Sequence, residues 1–543
     1  MSGGSLLILL ALGVPLGMGL ACLSPGFRAR ALAYLPLAPL PALLAALLAP
    51  GDTLVLAPAP LRLTLALDEP GALLLGGAAL LWTTAGAYAR LYMREDPDRD
   101  RFAVWWLLTL AGTLGVFLVA DLASFYLAFA LASIPAYGLV SHANSPAAER
   151  AGGIYMTLAL LGEAFLLLAF VMLAAHAGAG NPLIREAVAS LPASPWRDPI
   201  LALLILGFGL KMGLVPLHVW MPLAHPVAPM PASAALSGIV VKAGVIGLIR
   251  FLPLEAGLAG WGTALILIGL FTAWYAVAVG ITQRHPKTVL AYSTVSQMGF
   301  VAAILGAGLA AGDGASASLA AFYGLHHMLV KGALFLGVGI ALKTGRTRAA
   351  WVMVPMAILA LSLAGLPFTS GALAKFAGKE LLKDGVIGLL ATLSAAGSAL
   401  LMLHFLQCLS RSMTAEPGEA APAGLLAPWA VLAGSSILLP WLLFAGATGL
   451  SPRAPLMPYA LWASLWPLLI GAALALLLRR AEDRLPAIPE GDLVVVAEAG
   501  LPAMRRFGAR LERADDALRR WPVACAGLIG LILILGVLLR SAP

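Results

Sequence analysis

The chain has 543 residues, of which 61% are hydrophobic and 11% are charged, and its mean hydropathy is +0.94. So large an apolar fraction cannot be buried in a soluble core and predicts a membrane protein. The formal net charge of +8 comes mostly from basic loops between apolar segments, so it does not indicate nucleic-acid binding.

Apolar runs predict sixteen transmembrane helices, each about 20 residues long, which is the length needed to cross the hydrocarbon core. Segments of about ten alternating residues, typical of β-barrels, are not seen. The first run lacks a basic leader, so it is interpreted as a retained helix rather than a signal peptide. We predict an all-α polytopic membrane protein with helices at residues 3–22, 31–50, 71–92, 102–120, 122–140, 151–175, 199–218, 231–250, 261–281, 287–309, 316–342, 350–371 with a continuation through 382, 385–409, 425–446, 457–478 and 521–539.

Basic residues predict the orientation of these helices. Loops after odd-numbered helices carry 22 of the 34 Lys and Arg residues, whereas the other loops and the termini carry eight. Because cytoplasmic loops are enriched in Lys and Arg, the loops that follow odd-numbered helices are predicted to be cytoplasmic. We therefore expect a multi-pass protein of the bacterial inner membrane with both termini on the periplasmic side.

Six segments are predicted along the chain. They are N-terminal helices 1–3 (1–100), a first five-helix repeat of helices 4–8 (101–255), a second, inverted repeat of helices 9–13 (256–410), helices 14–15 (411–480), an amphipathic lateral helix (481–520) and a final transmembrane helix (521–543). Apolar residues at near-helical spacing, from Leu501 to Leu518, indicate the lateral helix, for which a solvated cytoplasmic linker is the alternative.

Cysteines and nucleotide motifs exclude several kinds of site. Cys22, Cys408 and Cys525 are isolated, and the chain contains no CxxC pair. No phosphate-binding loop follows a strand, and no GxGxxG opens a nucleotide fold. We therefore predict no metal, no cofactor and no catalytic centre in this chain.

Charged side chains inside the predicted helices are the main functional signal. Four lysines, Lys211, Lys242, Lys331 and Lys375, and one carboxylate, Glu163, lie within apolar runs. A charge at the bilayer centre costs about 3 kcal/mol or more, so such residues usually have a function. A buried lysine can alternate between neutral and charged forms near neutral pH, whereas an arginine stays charged. The choice of lysine predicts proton handling, with snorkelling or pairing between helices as the alternative.

Histidines accompany these lysines. His327 lies four residues before Lys331 on the same helical face, which favours a relay step between the two. His326 faces elsewhere on that helix and is interpreted as structural. For His404, in a long apolar run, structural and functional interpretations are equally favoured.

Prolines interrupt the segments that carry two of the lysines. In the stretch 209–244, five prolines lie between Lys211 and Lys242, and Pro367 and Gly371 precede Lys375. Proline removes a backbone donor, and non-helical backbone at membrane depth is tolerated where it lines a protein-enclosed path. Helices 7 and 12 are therefore predicted to be broken, one in each inverted repeat, as in many transporters.

Four motifs together resemble a known family. They are "KMGLVPLHVWMPLAHPVAPMPASAALSGIVVKAGVIGLIR", "KTVLAYSTVSQMGF", "LHHMLVKGALFLGVG" and "AGLPFTSGALAKF". They are similar, in order, to the antiporter-like subunits of respiratory complex I, of Mrp-type Na⁺/H⁺ antiporters and of membrane-bound [NiFe] hydrogenases of the formate hydrogenlyase type. The membrane subunit of inorganic-carbon uptake systems is a further relative. The resemblance covers roughly residues 60 to 410.

The resemblance implies roles for the buried charges. Lys211 would be the helix-7 lysine that exchanges protons with a helix-5 glutamate, and Lys242 the central lysine of helix 8. His327 and Lys331 would be part of the proton pathway between the central lysine and the exit side of the membrane. Lys375 would lie in the exit half of that pathway. One departure is clear, because Ala130 stands at the glutamate position in "FYLAFALASIPAYGL".

We hypothesise that Glu163, on helix 6, has taken over as the counter-ion of Lys211, because a row of lysines with no acid nearby would suffer strong repulsion.

The predicted function is translocation of protons, with Na⁺ as the alternative ion, in a multi-subunit energy-converting membrane complex. The complex would be an oxidoreductase of the NADH/quinone or hydrogenase type. Expected partners are other membrane subunits, peripheral redox subunits or a cytoplasmic zinc-binding subunit, and the lipid bilayer, but no nucleic acid. Two alternatives remain: a non-pumping membrane scaffold, and the membrane subunit of a proton-driven inorganic-carbon uptake complex.

Overall fold

The computed structural model describes residues 2–57, 62–178, 181–344, 349–382, 385–413, 421–480, 485–496 and 498. The helices of the first half are α1 (Gly3–Ala21), α2 (Pro25–Arg28), α3 (Ala31–Tyr34), α4 (Leu40–Leu48), α5 (Glu69–Tyr92), α6 (Arg99–Leu118), α7 (Leu122–Ser133), α8 (Ala136–Val140), α9 (Pro146–Ala177), α10 (Ile184–Ser190), α11 (Arg197–Met212), α12 (Trp220–Val227), α13 (Met230–Ala235) and α14 (Lys242–Phe251). The helices of the second half are α15 (Ala259–Gly280), α16 (Pro286–Ala311), α17 (Ser316–Thr344), α18 (Ala349–Ala364), α19 (Ser370–Lys379), α20 (Gly385–Ser412), α21 (Ala423–Thr448) and α22 (Pro458–Arg479).

The helices confirm the predicted fold class, an all-α polytopic membrane protein. Twelve helical stretches among the described residues are long and apolar enough to cross a membrane. The total of sixteen spans and the two inverted five-helix repeats stay predictions. The final transmembrane helix (521–543) lies outside the described residues, as does most of the lateral helix (481–520). Residues 1–490 form one structural unit, and residues 491–543 form another.

Two local features differ from the prediction. Residues 31–50 do not form one continuous helix, because the chain leaves α3 at Leu35 and re-enters a helix only at Leu40. Pro36 and Pro39 explain the break, since proline cannot donate within a helix. The segment that follows is a short antiparallel hairpin of β1 (Thr53–Ala57) and β2 (Leu63–Ala66), which hydropathy did not indicate.

The hairpin is fixed to the helices by one buried carboxylate. Asp121 caps the start of α7 by accepting from the backbone N–H of Ser124 at 2.9 Å. It also accepts from the Thr64 N–H of β2 at 3.0 Å and from the Asn181 amide at 2.8 Å. Asp121 therefore joins three separate segments at this end of the bundle.

Arg250, in the last turn of α14, makes a second junction at the same end. Its Nε and one terminal nitrogen donate to the two carboxylate oxygens of Asp68, at 3.1 and 2.9 Å. The guanidinium also donates to the carbonyls of Val116, Phe117 and Val119, which close the C-terminal end of α6. The planar fork of arginine allows this combination, in which charge-assisted bonds satisfy carbonyls that a helix end leaves free.

Replacing Arg250 with alanine is therefore expected to destabilise the protein by about 3 kcal/mol, because three buried carbonyls and Asp68 lose their donor together. The measurement is the thermal unfolding midpoint of the detergent-purified protein. Arg197→Ala is the matched control, since Arg197 is bonded to Asp198 on an exposed surface. An Arg250→Ala midpoint equal to that of the control would contradict the prediction.

The interior is built around α16 and α17. Both helices are buried along nearly their whole length, whereas α1 and α22 leave most of their surfaces exposed. A helix that is apolar all round and enclosed by protein can carry polar side chains only where another helix supplies a partner. The polar side chains of α16 and α17 are therefore expected to contact polar groups of neighbouring helices in the interior of the protein.

Candidate functional site

Both predicted helix breaks occur, and each lies beside a lysine. The first follows α11, which ends at Met212, one residue after Lys211, and is capped by Gly213, where φ is 79°. The second follows α18 at Gly365, where φ is 100°, and the chain becomes helical again at Ser370. Glycine adopts positive φ without the steric cost of a Cβ atom, so it can end a helix abruptly. The breaks place non-helical backbone next to Lys211 and Lys375.

Lys211 is buried against α7 and α9. Its Nζ donates to the Ser133 hydroxyl at 2.7 Å and to the Tyr155 hydroxyl at 3.3 Å. The Phe129 and Tyr155 ring centroids lie 5.5 and 5.6 Å from Nζ, at which range an aromatic face attracts a cation. Helix 5 therefore does supply a polar group to Lys211, but from Ser133, one turn beyond Ala130.

Glu163 lies on α9, close enough to Lys211 for the charges of the two side chains to interact. Ser133 lies close to both side chains. Only 5% of Glu163 is exposed. Among the described residues, its Oε1 has no hydrogen-bond partner, and the carboxylate makes no direct ion pair with Lys211. An unpartnered buried oxygen is costly and marks a position where a proton or a water molecule can be bound.

Lys242 is the central lysine, fully buried at the start of α14. Its Nζ lies 2.5 Å from Nδ1 of His327 and donates to the Ser237 carbonyl at 3.3 Å. Ser237 belongs to a single π-helical turn, Leu236–Val240, between α13 and α14. π-Turns widen a helix locally and are frequent at functional sites. His327 therefore contacts Lys242 directly, which helical spacing on α17 alone could not reveal.

Polar side chains of α16 face the other groups of α17. Lys331 Nζ donates to the Leu290 carbonyl at 2.7 Å and to the Ser293 hydroxyl. One turn further along α16, the Gln297 side-chain oxygen accepts from the Tyr323 hydroxyl at 2.5 Å. The sequence analysis did not single out these α16 residues. Their helical spacing in "LAYSTVSQ" could have indicated a polar face.

His326, which the sequence led us to interpret as structural, faces the second helix break. Its Nδ1 lies 2.8 Å from the Ser370 hydroxyl, at the start of α19. It is within Coulombic range of both Lys242 and Lys375. Among the described residues, its Nε2 has no hydrogen-bond partner. His326 and His327 thus point to different lysines, and His326 lies between the centre of the row and Lys375.

Lys375 lies where the row approaches the surface. Its Nζ is 5.8 Å from the Phe300 ring centroid, and 5% of the residue is exposed. A cavity of about 180 Å³ borders the side chain and is also lined by Lys379 and Tyr459. The cavity can hold several water molecules, so Lys375 has the position of a terminal group in the row.

Substituting Gly365 with alanine is expected to destabilise the protein by roughly 1–2 kcal/mol, the cost of positive φ for a residue with a Cβ atom. That Cβ would also lie 3.0 Å from Cδ of Lys375, so the lysine would shift. Gly449→Ala is the control, because Gly449 has φ of 68° but no atom near its Cβ position. We expect Gly365→Ala to unfold at a lower temperature than Gly449→Ala. Equal unfolding midpoints for the two variants would show that the contact of the new Cβ atom with Lys375 does not affect stability.

The sequence analysis missed a fifth buried lysine, Lys287. It is the first residue of predicted helix 10 (287–309) and was counted with the basic loop residues, yet it lies in the first turn of α16 and is only 3% exposed. Its Nζ donates to the Ala228 carbonyl at 2.5 Å, just after α12. His225 is fully buried nearby, and neither ring nitrogen has a partner among the described residues. Hydropathy did not reveal the burial of Lys287, because it does not show how neighbouring helices cover a helix end.

His404 contacts the loop before α16. Its Nε2 lies 2.7 Å from the Gln283 carbonyl, a satisfied position that fits the structural interpretation.

These groups form a row of titratable side chains separated by hydroxyl and amide groups. The structure places Lys211 with Glu163, Lys242 with His327, and Lys375 beyond His326. Hydroxyls and water molecules between such groups can transfer protons by exchanging hydrogen bonds. Among the described residues, no group of three His, Cys, Asp or Glu side chains could hold a metal ion.

Comparison with known families gives one match over more than half of the chain. Residues 119–403 match the family model described as NADH:quinone oxidoreductase/Mrp antiporter, transmembrane region. The matched segment contains all five buried lysines and Glu163.

Curated relatives match the same part of the chain. Hydrogenase-4 component B of Escherichia coli is 29% identical over 334 residues, covering 57% of this chain and 49% of the relative. The putative antiporter subunit mnhA2 of Staphylococcus saprophyticus is 31% identical over 325 residues, covering 55% of this chain and 40% of the relative. The chain therefore spans half or less of the length of these relatives.

Two solved structures share the fold. The Mrp complex from Dietzia sp. has a TM-score of 0.80 at 22% identity, covering 100% of this chain and 63% of the matched chain. An archaeal respiratory membrane complex, the membrane-bound sulfane sulfur reductase, has a TM-score of 0.69 at 18% identity, and the match covers 87% of this chain and 99% of the matched chain. At these identities the similarity describes the fold alone.

Proposed function

This chain belongs to the NADH:quinone oxidoreductase/Mrp antiporter family of transmembrane proteins, and from this we propose that it translocates protons as a membrane subunit of a multi-subunit energy-converting complex. Na⁺ is the alternative ion. The complex would lie in the bacterial inner membrane, with both termini of this chain on the periplasmic side.

One observation carries the proposal. The five buried lysines are each 5% exposed or less, and none forms an ion pair with a carboxylate in the part of the chain that the structure describes. A permanently charged amine in this position would carry a large desolvation cost. An amine that gains and loses a proton avoids that cost for part of the cycle. The arrangement therefore favours proton exchange over a purely structural network.

The first half of the pathway would work through Lys211 and Glu163. With Glu163 ionised, the attraction between the two charges stabilises a proton on Lys211. When Glu163 is neutralised, that attraction is lost and Lys211 releases its proton towards Lys242. Ser133 and Tyr155 hold Nζ in place during the exchange, since both hydroxyls accept from Nζ while they donate their own protons to backbone carbonyls.

The second half would continue through α17. His327 accepts a proton from Lys242 across the 2.5 Å contact between Nζ and Nδ1. Lys331 lies one turn further along α17, as a branch beside His327, while His326 and Ser370 connect the centre to Lys375. Repulsion between neighbouring cations drives the proton onward, because two adjacent groups cannot both stay charged cheaply in a protein interior. Lys375 would release it into the bordering cavity.

We propose that the driving energy comes from partner proteins, since the sequence carries no CxxC pair and no GxGxxG motif that would suggest a redox cofactor in this chain. Relatives are named as a hydrogenase component and as antiporter subunits. Other membrane subunits and peripheral redox subunits are therefore the expected partners. A zinc-binding cytoplasmic partner would instead indicate the inorganic-carbon uptake role.

The test uses the native complex, purified and reconstituted into vesicles with a pH-sensitive dye. We expect Lys211→Ala to abolish translocation while the complex still assembles on a native gel. Lys343→Ala, at the end of α17, is the control, since Lys343 lies over the Tyr92 ring near the surface. Full translocation by the Lys211→Ala complex would favour the non-pumping scaffold, in keeping with the alanine at position 130.

A further inference from the structure

A large groove lies outside the lysine row, at the end of the bundle that is predicted to be cytoplasmic. It has a volume of about 970 Å³ and is formed by residues between α1 and α4, the end of α5, the start of α6 and the start of α21. Four arginines line it: Arg30, Arg90, Arg94 and Arg99. No role in ion translocation follows from its position, because the lysine row runs through the interior.

None of the described residues that line the groove neutralises its positive charge. Among the described residues that line the groove, none is acidic. Arg30, Arg90 and Arg94 are exposed and have no carboxylate partner in the described parts of the chain, while Arg99 lies 3.9 Å from Asp100. Four like charges that face one open volume repel each other, so the groove is complementary to an anion.

Two acidic residues of the neighbouring loop, Asp96 and Asp98, make contacts outside the groove. Asp96 lies 3.2 Å from the His142 ring, and Asp98 accepts from Arg101 at 3.0 Å. The Asp96 contact holds the loop against the segment that follows α8, and the Asp98 contact joins the loop to the first turn of α6. Neither contact uses an arginine that lines the groove.

The walls of the groove are apolar and continue into a surface typical of lipid contact. Tyr34 lines the groove and stacks on Phe27, with ring centroids 5.9 Å apart. Aromatic side chains of this kind concentrate at the headgroup level of a bilayer. Beyond Tyr34, Leu37 is exposed in the segment before α4, and three further exposed leucines follow one face of α4: Leu40, Leu44 and Leu47. An apolar stripe thus leads from the arginines along α4.

We propose that this groove binds an anionic phospholipid with two phosphate groups, such as a diphosphatidylglycerol. The phosphates bind the four arginines, which form bidentate bonds to phosphate oxygens, and the acyl chains lie along the α4 leucines. Basic pockets between transmembrane helices recognise such headgroups. The combined basic and apolar surfaces favour a lipid over a soluble phosphate, which would leave the leucine stripe without a partner.

The experiment uses the full chain in its native complex, reconstituted with a photoreactive diphosphatidylglycerol. Cross-links are mapped by peptide mass spectrometry. We expect labelled peptides from residues 29–37 and 87–91. The double variant Arg30→Gln/Arg90→Gln should reduce this labelling roughly 25-fold, since each arginine near an anionic headgroup contributes about a fivefold effect. Arg480→Gln is the control, because it removes a charge at the same predicted membrane face outside the groove.

Four outcomes would overturn the proposal. Equal labelling by a photoreactive phosphatidylcholine would indicate a general lipid surface. Displacement by inorganic phosphate would indicate a soluble anion. Unchanged labelling in the double variant would show that the arginines do not bind the lipid. Labelling of the isolated chain but not of the complex would show that a partner subunit occupies the groove. None of these measurements depends on ion translocation, so the result is independent of the proposed function.

Discussion

Replacing Lys242 with methionine is expected to reduce ion translocation to the leak rate of the vesicles, a loss of at least about a hundredfold. Lys242 is fully buried at the centre of the row and is the group that contacts His327. Methionine occupies a similar volume and carries no proton, so a proton arriving from Lys211 has no acceptor there. The protein should remain folded, because replacing a buried charge by a well-packed apolar side chain is often neutral or stabilising.

A second substitution at this position separates charge from proton exchange. Arginine keeps the positive charge but does not release its proton, so we expect Lys242→Arg to be as inactive as Lys242→Met. Lys343→Met is the surface control for the loss of a lysine. Dye-monitored translocation and the thermal midpoint are measured for all three variants. Substantial translocation by Lys242→Arg would show that this position needs only a charge, and would contradict the proposed mechanism.

Glu163→Gln is expected to lower translocation roughly tenfold, which corresponds to about 1.4 kcal/mol of lost Coulombic stabilisation of the Lys211 ammonium. The amide retains the shape of the side chain and can hydrogen-bond in its place, but it carries no charge. Because Glu163 makes no direct ion pair, the effect should be smaller than that of removing Lys211 itself. Translocation should be measured at several external pH values, because the loss of a carboxylate changes the profile as well as the rate.

Glu149→Gln is the matched control for this substitution. Glu149 lies in the first turn of α9, on the same helix as Glu163, but is exposed to solvent. We expect the control to translocate at the wild-type rate with an unchanged pH profile. If Glu163→Gln behaves like the control, Lys211 works without a carboxylate partner. The hypothesis that Glu163 replaces the glutamate missing at Ala130 would then be wrong.

Particular residues show how far the sequence could predict the site. The four lysines and Glu163 were identified because a charge within an apolar run is visible in any window of about 20 residues. Lys287 was missed for the same reason, since it lies at the edge of such a run. The contact of His326 could not be predicted, because its partner Ser370 begins α19, 44 residues later in the chain.

The sequence by itself determined the membrane class, the positions of most helices and the two breaks that precede Ser370 and follow Lys211. Hydropathy, proline and glycine act on neighbouring residues, so these features need no knowledge of tertiary packing. Only the tertiary structure decided which groups meet. Ser133 reaches Lys211 across 78 residues, and His327 reaches Lys242 across 85. Such contacts depend on how each helix is rotated about its axis against its neighbours, and the spacing within one helix does not specify that rotation.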